Sequence, residues 1–376
     1  MGVIAMQHRV RELFLLLLAC ALVFCGSAAA AELRTNRSKA IVPLDEIVPG
    51  GPPPDGIPAI DRPKFVTPKE ADPWLGAREP VLGLEVNGEA RAYPLQILTW
   101  HEIVNDTVGG RPVSVTYCPL CNSGIVFDRR LGGTTYDFGT SGMLYKSDLV
   151  MYDRQTHSLW SQMEGRAIVG DLAGSRLTML PANTLAYGEW KRLYPGGKVL
   201  SKDTGHFRSY GRNPYPAYDE RNSHPFLFFE KVDGRLPPKE RVAGVLIGDR
   251  ARAYPFGLLA TRKVVADIVG GQPLVVFFRP GTLSALDHSA IAQSKEVGAT
   301  AVFNPVVDGT TLTFEATDAG FKDRETKSLW SLLGRCYEGP LAGKVLRPIV
   351  HVDAFWFAWA AFQPKTDIYE WTPSPR

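Results

Sequence analysis

The chain has 376 residues, 45% of them hydrophobic and 22% charged, a composition that can bury the cores of two globular domains. Its 42 Lys and Arg residues nearly balance its 39 Asp and Glu residues, and the formal net charge is +3. Because acids and bases are scattered and no basic stripe alternates with aromatic residues, we exclude nucleic acid as a partner. We also expect no nucleotide cofactor.

Residues 1–31 carry the pattern of a secretory signal peptide. Arg9 and Arg11 precede an apolar run from Leu13 to Val23, and the small residues 27–31 follow it. Since the run is too short for a membrane-spanning helix, we predict a leader that is cleaved and a protein that is secreted or periplasmic. An uncleaved N-terminal anchor is the alternative.

Cleavage would leave few cysteines in the mature chain. Cys20 and Cys25 lie in the leader, whereas Cys118, Cys121 and Cys336 remain. An odd number of cysteines argues against a disulfide scaffold.

The rest of the chain predicts an α+β fold that is mainly β. Residues 32–80 are rich in proline and glycine and form an extended lead-in. From residue 81 to 200, short β-branched runs separated by turn dipeptides predict strands. Helical character is confined in this stretch to Pro94–Val104 and Asn183–Leu193.

The sequence of residues 81–200, repeat 1, recurs in residues 241–376, repeat 2. Ala90–Pro94 returns as Ala251–Pro255, and the octapeptide that ends in Trp160 returns with two changes and ends in Trp330. We therefore predict two tandem homologous domains from an internal duplication. The Tyr- and Pro-rich residues 201–240 between them are predicted to be either a flap packed over one domain or a plain linker.

Residues that occur in one repeat only are candidates for chemistry, because residues shared by both are expected to serve the architecture. Cys118–Cys121 of repeat 1 corresponds to Arg279–Thr282, so repeat 2 has neither cysteine. Likewise, Trp100–Glu102 corresponds to Thr261–Lys263, which replaces a histidine and an acid with two cations. We therefore place the working site in repeat 1.

The segment Cys118-Pro-Leu-Cys121 is predicted to be a metal knuckle for copper(I) or zinc. A predicted strand enters it and another, Ile125–Phe127, leaves it, and backbone amides of such a turn can donate to thiolates. A thioredoxin-like redox site would instead begin a helix at the cysteines. A structural disulfide between the two cysteines is the third alternative.

Two cysteines do not complete a metal site, so further ligands are expected from repeat 1. His101 is the leading candidate because it is lost together with the cysteines. His157 and the soft thioether of Met143 are further candidates. Among the acids of repeat 1, which include Asp106, Asp128 and Asp148, only Glu102 is singled out, as a candidate general acid or base.

With these motifs in view, the chain resembles a bacterial and archaeal family catalogued as domain of unknown function 3179. The matching motifs are Asp55–Ile60, Ala90–Leu95, Trp100–Glu102 with Asn105 and Asp106, Tyr117–Cys121, Phe138–Gly142, Ser147–Met151 and Gly211–Tyr215. The resemblance covers most of the mature chain but implies no activity. The family pattern has no histidine at position 157, which counts against His157 as a ligand.

Three functional hypotheses follow from the sequence. The leading one is a secreted or periplasmic protein that binds copper(I) or zinc through Cys118, Cys121 and His101, with or without an attached catalytic step. The second is a periplasmic thiol-disulfide oxidoreductase that uses the same two cysteines. The third is an envelope module that binds a small molecule or a protein partner and in which the cysteines are structural.

Overall fold

The protein is described here from a computed structural model that covers residues 32–370. From Arg34 onward this part of the chain forms one compact unit. The predicted signal peptide, with Cys20 and Cys25, lies outside the described residues. Between residues 32 and 370, no helix is long and apolar enough to cross a membrane.

Short strands make up most of the structure, so the fold is mainly β with a few helices, as predicted. Up to residue 200 the strands are β1 (Ile47–Pro49), β2 (Phe65–Val66), β3 (Pro80–Val86), β4 (Glu89–Pro94), β5 (Ile103–Val108), β6 (Arg111–Cys118), β7 (Ser123–Asp128), β8 (Arg130–Leu131), β9 (Thr134–Thr135), β10 (Phe138–Tyr145), β11 (Asp148–Asp153), β12 (Leu159–Ser161), β13 (Arg166–Val169), β14 (Thr178–Leu180), β15 (Asn183–Ala186) and β16 (Lys198–Leu200).

The remaining strands begin after residue 240. They are β17 (Arg241–Ile247), β18 (Arg250–Pro255), β19 (Val264–Val269), β20 (Gln272–Arg279), β21 (Ala299–Asn304), β22 (Val306–Val307), β23 (Thr310–Thr311), β24 (Phe314–Thr317), β25 (Gly320–Asp323), β26 (Leu329–Trp330), β27 (Cys336–Glu338), β28 (Arg347–Pro348), β29 (His351–Phe355) and β30 (Asp367–Ile368). The α-helices are α1 (Pro68–Ala71), α2 (Leu95–His101), α3 (Tyr187–Leu193), α4 (Phe256–Arg262) and α5 (Trp356–Phe362).

The first half, residues 81–200, and the second half, residues 241–370, build sheets with matching strand orders. The order β15-β3-β4-β16 matches β29-β17-β18-β30, β14-β7-β6-β5 matches β28-β21-β20-β19, and β10-β11-β12-β13 matches β24-β25-β26-β27. In both halves the first of these sheets contains a parallel pair, between β4 and β16 and between β18 and β30. The lead-in adds β1 and β2 as edge strands to two sheets of the first half.

The predicted helices are present, with shorter bounds than the sequence suggested. Helix α2 ends at His101 because Ile103 already pairs in β5. Of the predicted segment Asn183–Leu193, only the part from Tyr187 is helical. Residues Asn183–Ala186 form strand β15, because they pair with β3 at the edge of its sheet.

The repeated octapeptide is explained by one buried acid in each half. The Asp153 carboxylate accepts hydrogen bonds from the backbone amide of Thr156 and from the indole N–H of Trp160. Asp323 accepts the same two bonds from Thr326 and Trp330. The conserved letters of the repeat therefore hold a turn against a buried tryptophan.

The hydrophobic core is continuous across the two halves. The cluster that contains Cys118 and Cys121 also contains Val242, Phe355 and Trp356 of the second half. Because the halves share this core, each contributes walls around the region of the cysteines.

Candidate metal centre

The two cysteines lie at the end of the β6–β7 hairpin where a turn joins the two strands. Strand β6 ends at Cys118, which pairs with Ser123 at the start of β7. The turn between them closes through Asn122, whose φ of 52° is left-handed and whose side chain accepts a hydrogen bond from the Tyr117 hydroxyl. The strand, turn and returning strand predicted for a metal knuckle are therefore present, and no helix starts here.

A residue from the far end of the chain holds the same turn. The backbone N–H of Phe355, the last residue of β29, donates to the carbonyl oxygen of Cys121 at 2.9 Å. The position of Cys121 thus depends on the second half.

Asp148 reaches the cysteines from the tip of the β10–β11 hairpin. The hairpin turns through Lys146 and Ser147, both with positive φ, and the pairing of its strands is interrupted by a bulge after Thr140. Asp148 follows the turn as the first residue of β11, and the Ser147 carbonyl accepts a hydrogen bond from the Cys121 thiol at 3.6 Å.

Cys118, Cys121 and Asp148 form one buried group. One carboxylate oxygen and the two sulfurs all lie within 4.8 Å of one another, and all three side chains are buried. The sulfurs are not joined in a disulfide. Asp148 is one of the acids of repeat 1 to which the sequence assigns no role, although it lies in the motif Ser147–Met151.

One oxygen of Asp148 has no hydrogen-bond partner. Oδ2 accepts from the backbone N–H of Met163 at 2.9 Å, whereas Oδ1 is buried and unsatisfied within the described structure. A buried polar atom without a partner costs about 1–3 kcal/mol, so such an atom calls for an explanation.

The acids around the cysteines are buried. Burial raises the pKa of Asp148 to about 7, against the opposing effects of the Met163 amide and of hydrogen bonding to the thiols of Cys121 and Cys118. Burial, with a smaller contribution from Asp148, raises the pKa of Glu102 to about 8. Neither carboxyl group has a salt-bridge partner among residues 32–370. Burial also raises the pKa of both thiols.

Glu102 lies at the end of α2 and faces a cavity beside the group. Its φ of 57° is left-handed, and this residue ends the helix before β5 begins. The cavity has a volume of about 210 Å³, and Glu102, Leu120 and Leu149 are in its wall. Leu120 lies between the two cysteines in sequence and Leu149 follows Asp148, so the cavity and the group are neighbours.

The structure places His101 outside the group of Cys118, Cys121 and Asp148. Its Nδ1 is 2.7 Å from the carbonyl oxygen of Pro58 and its Nε2 is 2.6 Å from the hydroxyl of Tyr210. Because a carbonyl can only accept, Nδ1 carries the proton and Nε2 accepts from the tyrosine. Burial lowers the pKa of His101 to about 4, in keeping with a neutral ring.

The other two candidate ligands lie in different places. His157 accepts a hydrogen bond at Nδ1 from the backbone N–H of Arg34 and at its carbonyl from the Thr35 hydroxyl. It is not part of the cysteine group. Met143 is half-buried and lines the cavity next to Glu102.

Residues 201–240 pack over this region of the first half. Tyr210 contacts His101, while Tyr215 and Tyr218 line the cavity. The buried Lys239 holds Tyr218 in place, since its Nζ donates to the Tyr218 carbonyl at 2.6 Å and lies 3.4 Å from the centre of the ring. We call this segment the flap.

Comparison with known sequences gives the chain a family and no activity. The pattern of a family described as a protein of unknown function (DUF3179) matches residues 54–366. The chain belongs to this family. The match spans both halves and the flap, and it contains the cysteine group and all of the cavity wall except Gly50 and Pro52. No curated protein and no solved structure matched the chain.

Proposed function

We propose that Cys118, Cys121 and Asp148 bind one thiophilic divalent metal ion, zinc in the first instance. The observation that carries the proposal is the buried group itself, in which two sulfurs and a carboxylate oxygen lie within 4.8 Å of one another. Zinc is bound in proteins by these atom types at distances of about 2.0–2.3 Å, which such a group can provide after small adjustments.

Charge and hydrogen bonding support a cation at this place. Asp148 has an unpartnered Oδ1, and no salt bridge in the described structure neutralises it or the nearby Glu102. An isolated buried carboxylate is costly unless it is protonated, paired or coordinated to a metal. A bound dication would supply the missing partner and would favour the thiolate forms of both cysteines.

The ligand set favours zinc over copper(I), the other metal that the sequence suggested. Thiolates suit both ions, but a carboxylate suits the harder ion. Three protein ligands also leave a fourth position open, the arrangement found in catalytic zinc sites and absent from closed structural ones. The chain's own contribution is to orient Asp148 through the Met163 N–H, whereas the bond from the Cys121 thiol to the Ser147 carbonyl belongs to the protonated cysteine and would be given up when a metal binds the thiolate.

Elemental analysis of the purified full-length protein, paired with a thiol count, tests the proposal. We expect about one equivalent of zinc per chain and its loss in Cys118→Ser and Cys121→Ser. Cys336→Ser is the matched control, because Cys336 is also a buried free cysteine but lies in the second half, with its thiol on the Glu338 carbonyl. Undiminished metal in the two site variants would overturn the proposal.

A thiol oxidoreductase is the second candidate, because the two sulfurs are close and unbridged. Against it, a reactive cysteine needs a lowered thiol pKa, whereas burial raises the pKa of both thiols here. Metal-free protein with a Cys118–Cys121 disulfide that is readily reduced would favour this candidate. Protein with neither metal nor redox activity would instead favour an envelope binding module with structural cysteines.

We also infer that the two halves arose by internal duplication and that residues 1–31 direct export. The matching strand orders and the twin Asp–Trp hydrogen bonds support a common origin of the halves. The export prediction rests on the sequence alone. N-terminal sequencing of the mature protein from a secreting host tests it, and a retained Met1 would contradict cleavage.

A further inference from the structure

The cavity beside the cysteine group has a mouth and a floor. Pro52 and Phe226 in its wall are exposed, Phe226 by 48%, whereas Glu102, Thr140 and Leu149 are buried. The cavity therefore reaches the surface between the lead-in and the flap and ends beside the buried acids.

The wall is mainly apolar and contains no basic residue. Its members are Gly50, Pro52, Ile57, Glu102, Leu120, Thr140, Gly142, Met143, Leu144, Leu149, Tyr215, Tyr218 and Phe226. The Thr140 hydroxyl already donates to the Ile57 carbonyl. The carboxyl group of Glu102 makes no hydrogen bond to the described part of the chain, so it is the polar group left for a ligand.

We propose that this cavity binds a small molecule with an apolar body of about one ring and a single hydrogen-bond donor, neutral or cationic, and that it excludes anions. A volume of about 210 Å³ accommodates a single ring, since a dry cavity of about 150 Å³ is known to bind benzene. The apolar wall holds the body of the ligand, and Glu102 at the floor accepts from its donor.

Exclusion of anions follows from what surrounds the floor. Glu102 faces the cavity, and no cation lies in its wall. An anionic ligand would be moved out of water to a place that offers it no opposite charge, which is costly. This proposal concerns the cavity and its wall and does not depend on whether a metal ion occupies the cysteine group.

Three matched probes, benzyl alcohol, benzylamine and benzoate, test the proposal on the intact protein. They share one ring and differ in the charge of the group attached to it. Titration followed by methyl NMR should give saturable shifts at Ile57, Met143 and Leu149 for the first two probes. Benzoate should bind at least about tenfold more weakly.

Two variants and one control keep the test decisive. Met143→Trp fills the cavity and should abolish binding, whereas Met179→Trp, at a half-buried methionine on β14 outside the cavity, should not. Glu102→Gln should retain benzyl alcohol and, in titrations above about pH 8, where the Glu102 carboxyl group is ionised, should reduce the preference for benzylamine over benzoate. Equal binding of benzoate and benzylamine by the unaltered protein, or shifts confined to methyl groups away from the cavity, would overturn the proposal.

Discussion

The two halves of the molecule have sheets with matching strand orders, but they differ at the end of β6 and at the corresponding end of β20. In the first half, β6 ends in Cys118 and the turn to β7 carries Cys121. In the second half, β20 ends in Arg279, which forms a salt bridge with Glu189 of the first half. Glu102 ends the helix before β5 in the first half, and Lys263, with a φ of 63°, ends the helix before β19 in the second half.

The hairpins that face these strand ends differ as well. Counting from the shared buried aspartates, β11 is six residues long, Asp148–Asp153, and β25 only four, Gly320–Asp323. The longer hairpin also contains a bulge, and its tip carries Asp148 to the cysteines. The same strand order therefore carries a buried group of two cysteines and an aspartate in the first half, where the hairpin is long, and no such group among the described residues of the second half, where the hairpin is short.

The largest effect is expected from Asp148→Asn. Loss of the charge at the hairpin tip removes one of the three proposed ligands, so zinc affinity should fall by at least about 100-fold, since even outer partners of metal ligands contribute about 10–100-fold. Competition with a chromophoric chelator measures the change. Asp318→Asn, at the exposed turn of the shorter hairpin, is the control and should leave affinity unaltered. Equal affinities in the two variants would remove Asp148 from the site.

The shared part of the two halves should respond alike to the same change. Trp160→Phe and Trp330→Phe each remove an indole N–H that donates at 2.9 Å to a buried aspartate, so each should lower the free energy of unfolding by about 2–3 kcal/mol. Urea denaturation measures both. If the free energies of unfolding of the two variants fall by amounts that differ by more than the extrapolation error, the two Asp–Trp hydrogen bonds contribute unequally to stability.

Alkaline pH should destabilise the metal-free protein through Glu102. Its pKa is raised to about 8 in the folded chain, so between its unfolded value near 4.5 and pH 8 the folded state binds more protons. Stability therefore falls as pH rises. His101, with a pKa of about 4, has the opposite slope, but only below about pH 6.5.

In the window from pH 6.5 to 8, burial also places the pKa of Asp148 at about 7 and that of Lys239 at about 8, so comparison with Glu102→Gln is what isolates Glu102. Over this window, the free energy of unfolding of the unaltered metal-free protein should fall by on the order of 1–2 kcal/mol more than that of Glu102→Gln. Denaturation curves after chelation measure the difference. Parallel pH profiles for the two proteins would contradict a buried, protonated Glu102.

The smallest effect is expected at the contact between the flap and His101. Tyr210→Phe leaves the neutral His101 Nε2 without its donor, and stability should fall by about 1 kcal/mol. In Tyr337→Phe the lost hydroxyl bond, to the Ala319 carbonyl, is exposed, so a smaller change is expected. Thermal unfolding of the two variants compares them, and an equal or reversed order would show that the flap is loosely attached at Tyr210.

The cysteines could be found from the sequence because they lie at the end of a strand that both repeats share, and in the turn after it, where the second repeat has other residues. His101 was favoured over Asp148 because His101 is lost together with the cysteines, whereas Asp148 lies in a hairpin five residues before Asp153, the start of the shared octapeptide. The direction of the His101 ring depends on Pro58 and Tyr210, which lie far from it in sequence. Hairpin length was the signal that could have found Asp148.

The fold class followed from short runs and turn dipeptides, and the knuckle from the strands on either side of it. Strand β15 was missed because Asn183–Ala186 has no strong strand pattern of its own and is extended only through its partner β3. Pairing with a strand that is distant in sequence can thus make a segment extended although its own residues show no strand pattern.

The bond from Phe355 to Cys121 sets an order of events for the newborn chain. The knuckle is synthesised before β29, the strand whose Phe355 amide holds it. A chain stopped before residue 355 has both cysteines and Asp148 but lacks the brace on their turn. The turn that carries Cys121 is therefore braced only after residue 355 has been synthesised.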